Sequence, residues 1–295
     1  MAVPTPRPLA VEVRGLRRNY STGFLGRPRE VLHGLELEIG RGEFIGLVGP
    51  NGSGKSTLLR LLAGVDEVEQ GSIRVFGHAP DSQAARRATG FCPEDSPFPS
   101  DLAARDVLAL LGSLHGLGGA ELERRANELL VRVGLAESAR TKLGAYSRGM
   151  LRRFGIAASL LHQPELVLLD EPTAGLDAPG YAAIDGLLDE VRARGATLVV
   201  SSHLLGELHQ RCDRIVVLVE GRIVASGSSE ELVRTLGASA RLELAVEGLD
   251  ANGLAELRRV AEQRGGRVVA VQPSQAVLVE LYRRAATGKT PGETP

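Results

Sequence analysis

The segment that leaves this chain the fewest possible folds is Gly49-Pro50-Asn51-Gly52-Ser53-Gly54-Lys55-Ser56-Thr57, which follows a compact apolar run at 44–48 and opens a helical pattern at 55–63. Its glycines let the backbone curl where a side chain would obstruct it. A curl between a buried strand and a helix turns successive N–H groups, together with the positive end of the helix, toward one point. Such a loop cradles phosphate oxygens and fits the G-x-x-x-x-G-K-[ST] pattern. Lys55 then reaches the β and γ phosphates of a nucleotide, Ser56 offers its hydroxyl to Mg²⁺ and Thr57 helps hold the α phosphate.

The same strand-loop-helix unit implies an α/β core. Apolar runs at 165–169 and 197–200 resemble 44–48 and read as parallel strands covered on both faces. Helical patterns at 55–63 and 181–193 end at Gly64 and Gly195, the residue type that favours a helix C-terminus. Val11 and Val13, then Leu35, Leu37 and Ile39, then Ile73 and Val75 alternate with polar residues, as half-buried antiparallel strands do. From about 90 to 163 helical periodicity takes over, at 103–114, 120–133 and 149–162, which reads as a helical insertion. We expect one large domain over 1–235 and a small α+β domain over 236–286, with elements at 241–246, 254–263, 268–271 and 275–285. The remaining 287–295, rich in Gly, Thr and Pro, is expected to be disordered.

Charge narrows the partners. Lys plus Arg (35) and Asp plus Glu (36) nearly cancel, so no overall attraction to nucleic acid or anionic lipid is visible. Apolar runs fall far short of the roughly 20 residues that cross a bilayer. Residues 1–9 are proline-rich and lack the apolar core of a signal peptide. Cys92 and Cys212 lack metal-ligand spacing and suit a reducing compartment. The expectation is a cytoplasmic chain whose membrane role, if any, needs a partner.

Two carboxylates, Asp170 and Glu171, follow the apolar run 166–169. Successive residues at a strand end point in opposite directions, so Asp170 can face a metal while Glu171 addresses an attacking water. A phosphate cradle serves many activities, and further motifs must discriminate.

Tyr146-Ser147-Arg148-Gly149-Met150 stands shortly before that carboxylate pair. With it the chain resembles the ATP-binding subunits of ABC transporters, whose signature loop usually reads Leu-Ser-Gly-Gly-Gln. Ser147 and Gly149 are retained, while Tyr146, Arg148 and Met150 depart in the manner of the ABC-2 exporter branch. The resemblance implies a P-loop NTPase fold: a RecA-like core, an antiparallel β subdomain, a helical insertion bearing the signature loop, and a small C-terminal domain. It also implies that Ser147, Arg148 and Gly149 meet the γ phosphate held by an opposite subunit. Ala174-Gly175-Leu176-Asp177 resembles the loop through which two subunits sense each other. His203 resembles the switch histidine that orients water with Glu171, and Tyr20 the aromatic that stacks on adenine. Where the family usually has glutamine, Phe91-Cys92-Pro93-Glu94 brings a carboxylate, long enough to reach Mg²⁺ or the water.

The resemblance further implies a head-to-tail pair of copies with ATP and Mg²⁺ between them, working on an integral membrane permease. Such a chain would be peripheral on the inner face of the membrane. The family docks its permease beside 94–111; Phe91, Phe98, Leu102 and Val107 suit either that contact or packing inside the helical insertion. The rival is an ABC ATPase of nucleic acid or the ribosome, against which stand a single uninterrupted cassette and the absence of a basic tract. Arg152 and Arg153 read as a solvated or phosphate-facing pair.

Overall fold

Period-two alternation builds the first sheet. In the computed structural model, which describes residues 8–21, 28–203, 211–236 and 251–263, β1 (Leu9–Ser21) pairs antiparallel with both β2 (Pro28–Gly40) and β4 (Gln70–Val75). Val13 lies opposite Leu37 on one side and Ile73 on the other. All the alternating apolar residues of this layer are buried.

The compact apolar runs build the second sheet, of order β5-β6-β7-β3-β8-β9. Its strands are β3 (Phe44–Val48), β5 (Thr89–Cys92), β6 (Leu166–Leu169), β7 (Thr197–Ser202), β8 (Arg214–Val219) and β9 (Arg222–Gly227). All neighbours run parallel except the β8–β9 hairpin. That hairpin turns on Glu220 (φ 45°) and Gly221 (φ 70°), the left-handed pair a two-residue turn requires.

Alternate residues of the parallel strands feed two cores, because successive side chains leave opposite faces of a sheet. Ile45, Leu47, Leu166, Leu168 and Val199 pack with the antiparallel sheet and α1 (Lys55–Leu62). Leu58, Leu59, Leu61 and Leu62 of α1 are at most 1% exposed, and each such burial contributes about 1.5–3 kcal/mol over exposure. Phe44, Val48, Val167, Leu169 and Val200 pack on the other face. That face receives α3 (Ala104–Leu114), α4 (Gly119–Arg132), α5 (Arg148–Leu160) and α6 (Ala178–Ala193).

The helical stretch expected from about 90 begins at Ala104 instead, since Thr89–Cys92 is an edge strand paired with β6. Four residues are too few for a period to show. A short helix α2 (Gln83–Ala88), capped by the Ser82 hydroxyl, precedes it. The chain divides into two units, 1–236 and 237–295. The first ends with the helix Ser229–Leu236; of the second, the helix Ala251–Gln263 is described, covering the helix expected at 254–263. The elements expected at 241–246, 268–271 and 275–285, and the tail 287–295, lie outside the described residues. Among the described residues no helix is long and apolar enough to cross a membrane.

Candidate functional site

Parallel pairing brings the chemistry to one edge. The loops that follow β3, β5, β6 and β7 all leave the carboxyl end of the sheet, the edge where open α/β sheets bind ligands. They carry, respectively, the glycine-rich loop, Glu94, the Asp170–Glu171 pair and His203.

The glycine-rich loop is closely fitted. A Cβ at Gly49 would lie 2.0 Å from the Leu218 carbonyl oxygen, so only glycine passes there. Gly52 and Gly54 are left-handed, with φ 78° and 106°. The tip of the β8–β9 hairpin braces the loop, as the Gly221 amide donates to the Ser53 carbonyl at 3.0 Å. Pro50, Asn51 and Gly52 form the exposed crest. Gly54 caps α1 without any side-chain bond, leaving the first-turn amides for a ligand. The buried Ser53 hydroxyl has no partner, which is costly unless an oxygen arrives to meet it. Lys55 is 6% exposed, and its ammonium donates to the carbonyls of Gly49 at 2.7 Å and Pro50 at 3.4 Å. Ser56 is exposed and Thr57 half-buried, at the start of α1. An uncapped helix start, an orphaned hydroxyl and a buried ammonium fit a polyphosphate.

Behind the cradle, Asp170 is 2% exposed and its Oδ1 accepts the Ser201 hydroxyl at 2.6 Å. The same hydroxyl oxygen accepts the Glu171 amide at 2.9 Å. Glu171 has φ 50°, a left-handed conformation that costs a non-glycine residue about 1–3 kcal/mol. Its carboxylate is 9% exposed and lies between two partners: Oε2 is 2.8 Å from Nδ1 of His203, and Oε1 is 3.6 Å from Nζ of Lys55. The His203 side chain is 46% exposed. The Glu94 side chain is exposed, while its backbone oxygen accepts a bond from Arg152.

Among the described residues, no group of three or more His, Cys, Asp and Glu gathers to hold a metal. The donors at this edge, the Ser56 hydroxyl and a few carboxylates, are hard oxygens. They fit Mg²⁺, which takes few protein ligands and completes its shell with phosphate and water.

The signature residues form a second cluster. Ser147 caps α5, its hydroxyl accepting the Met150 amide at 3.2 Å, and Asp177 caps α6 by accepting from Gly180 at 3.0 Å. Gly149 lies beside Gly175 and Leu176, where even a Cβ would be 3.7 Å from the Gly175 oxygen. Ser147, Arg148 and Asp177 are exposed. Tyr146 turns inward: 7% exposed, it donates its hydroxyl to the Ser138 carbonyl at 2.8 Å and meets Phe154 edge-on.

Tyr20 is half-buried, and its hydroxyl donates to Asp66 at 2.9 Å. The Arg60 guanidinium, more than that phenol, holds the Asp66 carboxyl below its ordinary value. Arg18 lies 5.0 Å from the Tyr20 ring centroid.

One reading of the sequence is corrected, and one left open between two alternatives is divided. Arg152 is buried rather than solvated, and the partly exposed Arg153 is engaged by main chain. Arg152 is 8% exposed among backbone carbonyls, and Arg153 donates to the Val133 and Gly134 carbonyls that end α4, where a cation offsets the helix dipole. Of the four apolar residues near the helical stretch, Val107 is buried, Phe98 packs edge-on to Phe154, and Leu102 packs against the core. Phe91 instead helps line a groove of about 630 Å³ with Val65, Arg87, Leu114 and His115. Ser201 escaped the sequence reading altogether, although a serine ending an otherwise apolar strand was the available sign.

The chain is similar to proteins already described. The family model for "ABC transporter" matches residues 32–174. The daunorubicin resistance ATP-binding protein DrrA3 of Streptomyces coeruleorubidus is 35% identical over 277 residues, covering 93% of this chain and 81% of that protein. The linearmycin resistance ATP-binding protein LnrL of Bacillus subtilis is 33% identical over 235 residues, covering 79% and 76%. An ATP-binding subunit of an ABC transporter superposes with TM-score 0.70 at 28% identity, over 84% of this chain and 98% of that one. A dimeric ATP-binding cassette in a post-hydrolysis state, bound to ADP and Pi, superposes with TM-score 0.68 at 27% identity, over 74% and 98%.

Proposed function

Since the chain belongs to the ABC transporter family as an ATP-binding and ATP-hydrolysing subunit, we propose that Lys55, Glu171 and His203 form its hydrolytic centre within a two-copy sandwich. One observation carries the reading: a strained glutamate, held between an ammonium and an imidazole, on the same sheet edge as the phosphate cradle.

ATP enters the cradle of residues 49–57, and Lys55 exchanges the carbonyls of Gly49 and Pro50 for β and γ phosphate oxygens. The orphaned Ser53 hydroxyl and the first-turn amides of α1 complete the grip. Adenine stacks on the Tyr20 face away from Arg18. Asp170, with Oδ1 engaged by Ser201, would hold the metal together with Ser56 and Glu94. Mg²⁺ held there would neutralise charge on the phosphates. Because His203 holds Oε2 of Glu171, Oε1 is left to take the proton of the attacking water.

Ser147, Arg148 and Gly149 of the opposite copy close over the γ phosphate, with Asp177 beside them at the seam. The triphosphate then bridges two faces, and its cleavage releases them. This motion drives export through a separate membrane subunit of the ABC-2 type, at the inner face of the membrane. The groove beside Phe91, with Val65 57% and Leu114 74% exposed, receives that subunit. The relatives are transporter ATPases and the net charge is −1, so nothing favours the nucleic-acid alternative.

Glu171→Gln tests the reading. The variant should bind ATP, lose hydrolysis by at least about a hundredfold, and run as a dimer by light scattering in ATP and Mg²⁺. Hydrolysis at the parental rate, or a monomer under saturating ATP, would overturn it.

A further inference from the structure

Arg152 is a buried cation without a counter-charge. Its guanidinium forms no ion pair among the described residues and spends its donors on main chain. One terminal nitrogen donates to the carbonyls of Pro93 at 2.6 Å and Glu94 at 2.9 Å, 3.9 Å from the Cys92 sulfur; the other donates to the Asp170 carbonyl. Desolvating a charge with no opposite charge beside it is costly, and satisfying three main-chain oxygens offsets part of that cost. The rigid fork is suited to holding separate segments at set positions.

The Asp170 carbonyl belongs to the peptide that joins Asp170 to Glu171. The other edge of that peptide, the Glu171 amide, is held by Ser201. Both edges of one peptide plane are thus clamped, directly before a residue kept in the left-handed region. Left-handed backbone at a non-glycine residue persists only when its surroundings over-determine it. Arg152 also stands five residues after Ser147 on α5, about 7.5 Å along the helix axis. A shift of the start of α5 therefore reaches this peptide and the Glu94 loop through one and a half turns of rigid helix.

We infer that Arg152 is a positioning residue for hydrolysis: it links the helix that carries Ser147 to the peptide that aims Glu171 and to the loop that carries Glu94. The inference rests on the reading of Glu171 as the base and Ser147 as the contact to the opposite nucleotide. Without Arg152 the cradle still binds ATP, but the 170–171 peptide is free to turn and Glu171 loses its aim.

The experiment uses the full chain with Arg152→Gln, Arg152→Lys and, in parallel, Glu171→Gln. ATP affinity is read with a fluorescent ATP analogue, hydrolysis as kcat and KM, and folding as Tm. Arg152→Gln should lower kcat at least about tenfold while affinity and KM stay within about twofold, with Tm falling by only a few degrees as main-chain oxygens lose donors. Arg152→Lys, with a point charge in place of the fork, should fall between the two. An unchanged kcat in folded Arg152→Gln overturns the inference, as does a loss of kcat that affinity and Tm follow in both variants. If Arg152→Gln does not fold, Arg152→Lys decides: parental kcat overturns the inference, and a loss of about threefold or more at parental KM and Tm supports it. If Glu171→Gln hydrolyses ATP at the parental rate, the reading of the site itself falls, whatever Arg152 does.

Discussion

The Ser201 hydroxyl donates to Oδ1 of Asp170 across 2.6 Å, joining the ends of two neighbouring parallel strands. The same oxygen accepts the Glu171 amide, so one small side chain serves both carboxylate residues. Ser201→Ala leaves a buried amide and a buried carboxylate oxygen each short of a partner. Such losses cost about 1–3 kcal/mol. Urea unfolding should show that decrease and the ATPase assay a reduced kcat; unchanged values in both would mean that water replaces the hydroxyl.

Gly49→Ala should abolish nucleotide binding. The new methyl would meet the Leu218 carbonyl oxygen at 2.0 Å and the Ser53 hydroxyl at 2.8 Å, and the first of these is main chain that a rotamer change cannot move aside. Titration with a fluorescent ATP analogue checks this, with circular dichroism to follow the fold. Gly52→Ala is the control for space, since nothing lies within 4 Å there and only the positive φ is strained.

Tyr20 separates stacking from anchoring. Tyr20→Phe removes the hydroxyl bond to Asp66 and keeps the ring, so ATP affinity should stay within about twofold. Tyr20→Ala removes the stacking face, worth about 1–3 kcal/mol per base, and should weaken ATP about tenfold or more. Equal losses in the two variants would assign the role to the Asp66 bond instead.

Glu94→Gln removes a charge and keeps the reach. Because the loop is held through main-chain oxygens, its position should survive, and ATP affinity with it. Isothermal titration with ATP and Mg²⁺ reads the outcome, and complete loss of binding would show that this loop does more than touch metal.

Acid sensitivity should trace to His162. Burial, and then the His115 ring stacked 3.8 Å away, hold its imidazole down to about 4 from 6.5. Folding therefore favours the neutral ring. Its contribution is fully present above about pH 6.5 and is lost as pH falls toward 4, by about 1–2 kcal/mol once solvent screening is allowed for. Burial and Arg87 lower His115 as well, and Arg125 adds to the field at His162. His162→Phe keeps a ring in the stack and removes the titration. Urea midpoints measured from pH 7.5 to 4.5 should fall less steeply in that variant.

Features that depend on neighbours along the chain are legible in the sequence itself. The cradle is nine consecutive residues whose glycines state their own backbone needs, and the alternation of Val11, Val13, Leu35, Leu37 and Ile39 declares a half-buried sheet. Asp170 and Glu171 stand out because charges end an apolar run. The edge strand Thr89–Cys92 stays hidden, since a four-residue strand is shorter than the window in which a period can be seen.

Contacts between residues far apart in the chain emerge only with the fold. Ser201 reaches Asp170 from 31 residues away, Arg152 reaches Pro93 from 59, and His115 stacks on His162. In the sequence Arg152 is one of two adjacent arginines on an amphipathic helix, with nothing to set it apart from a solvated cation. Composition and spacing specify which backbone shapes a segment can adopt. Which side chains then face each other depends on strand order and on the register of packed layers, and those arise from burial across the whole molecule rather than from any local stretch.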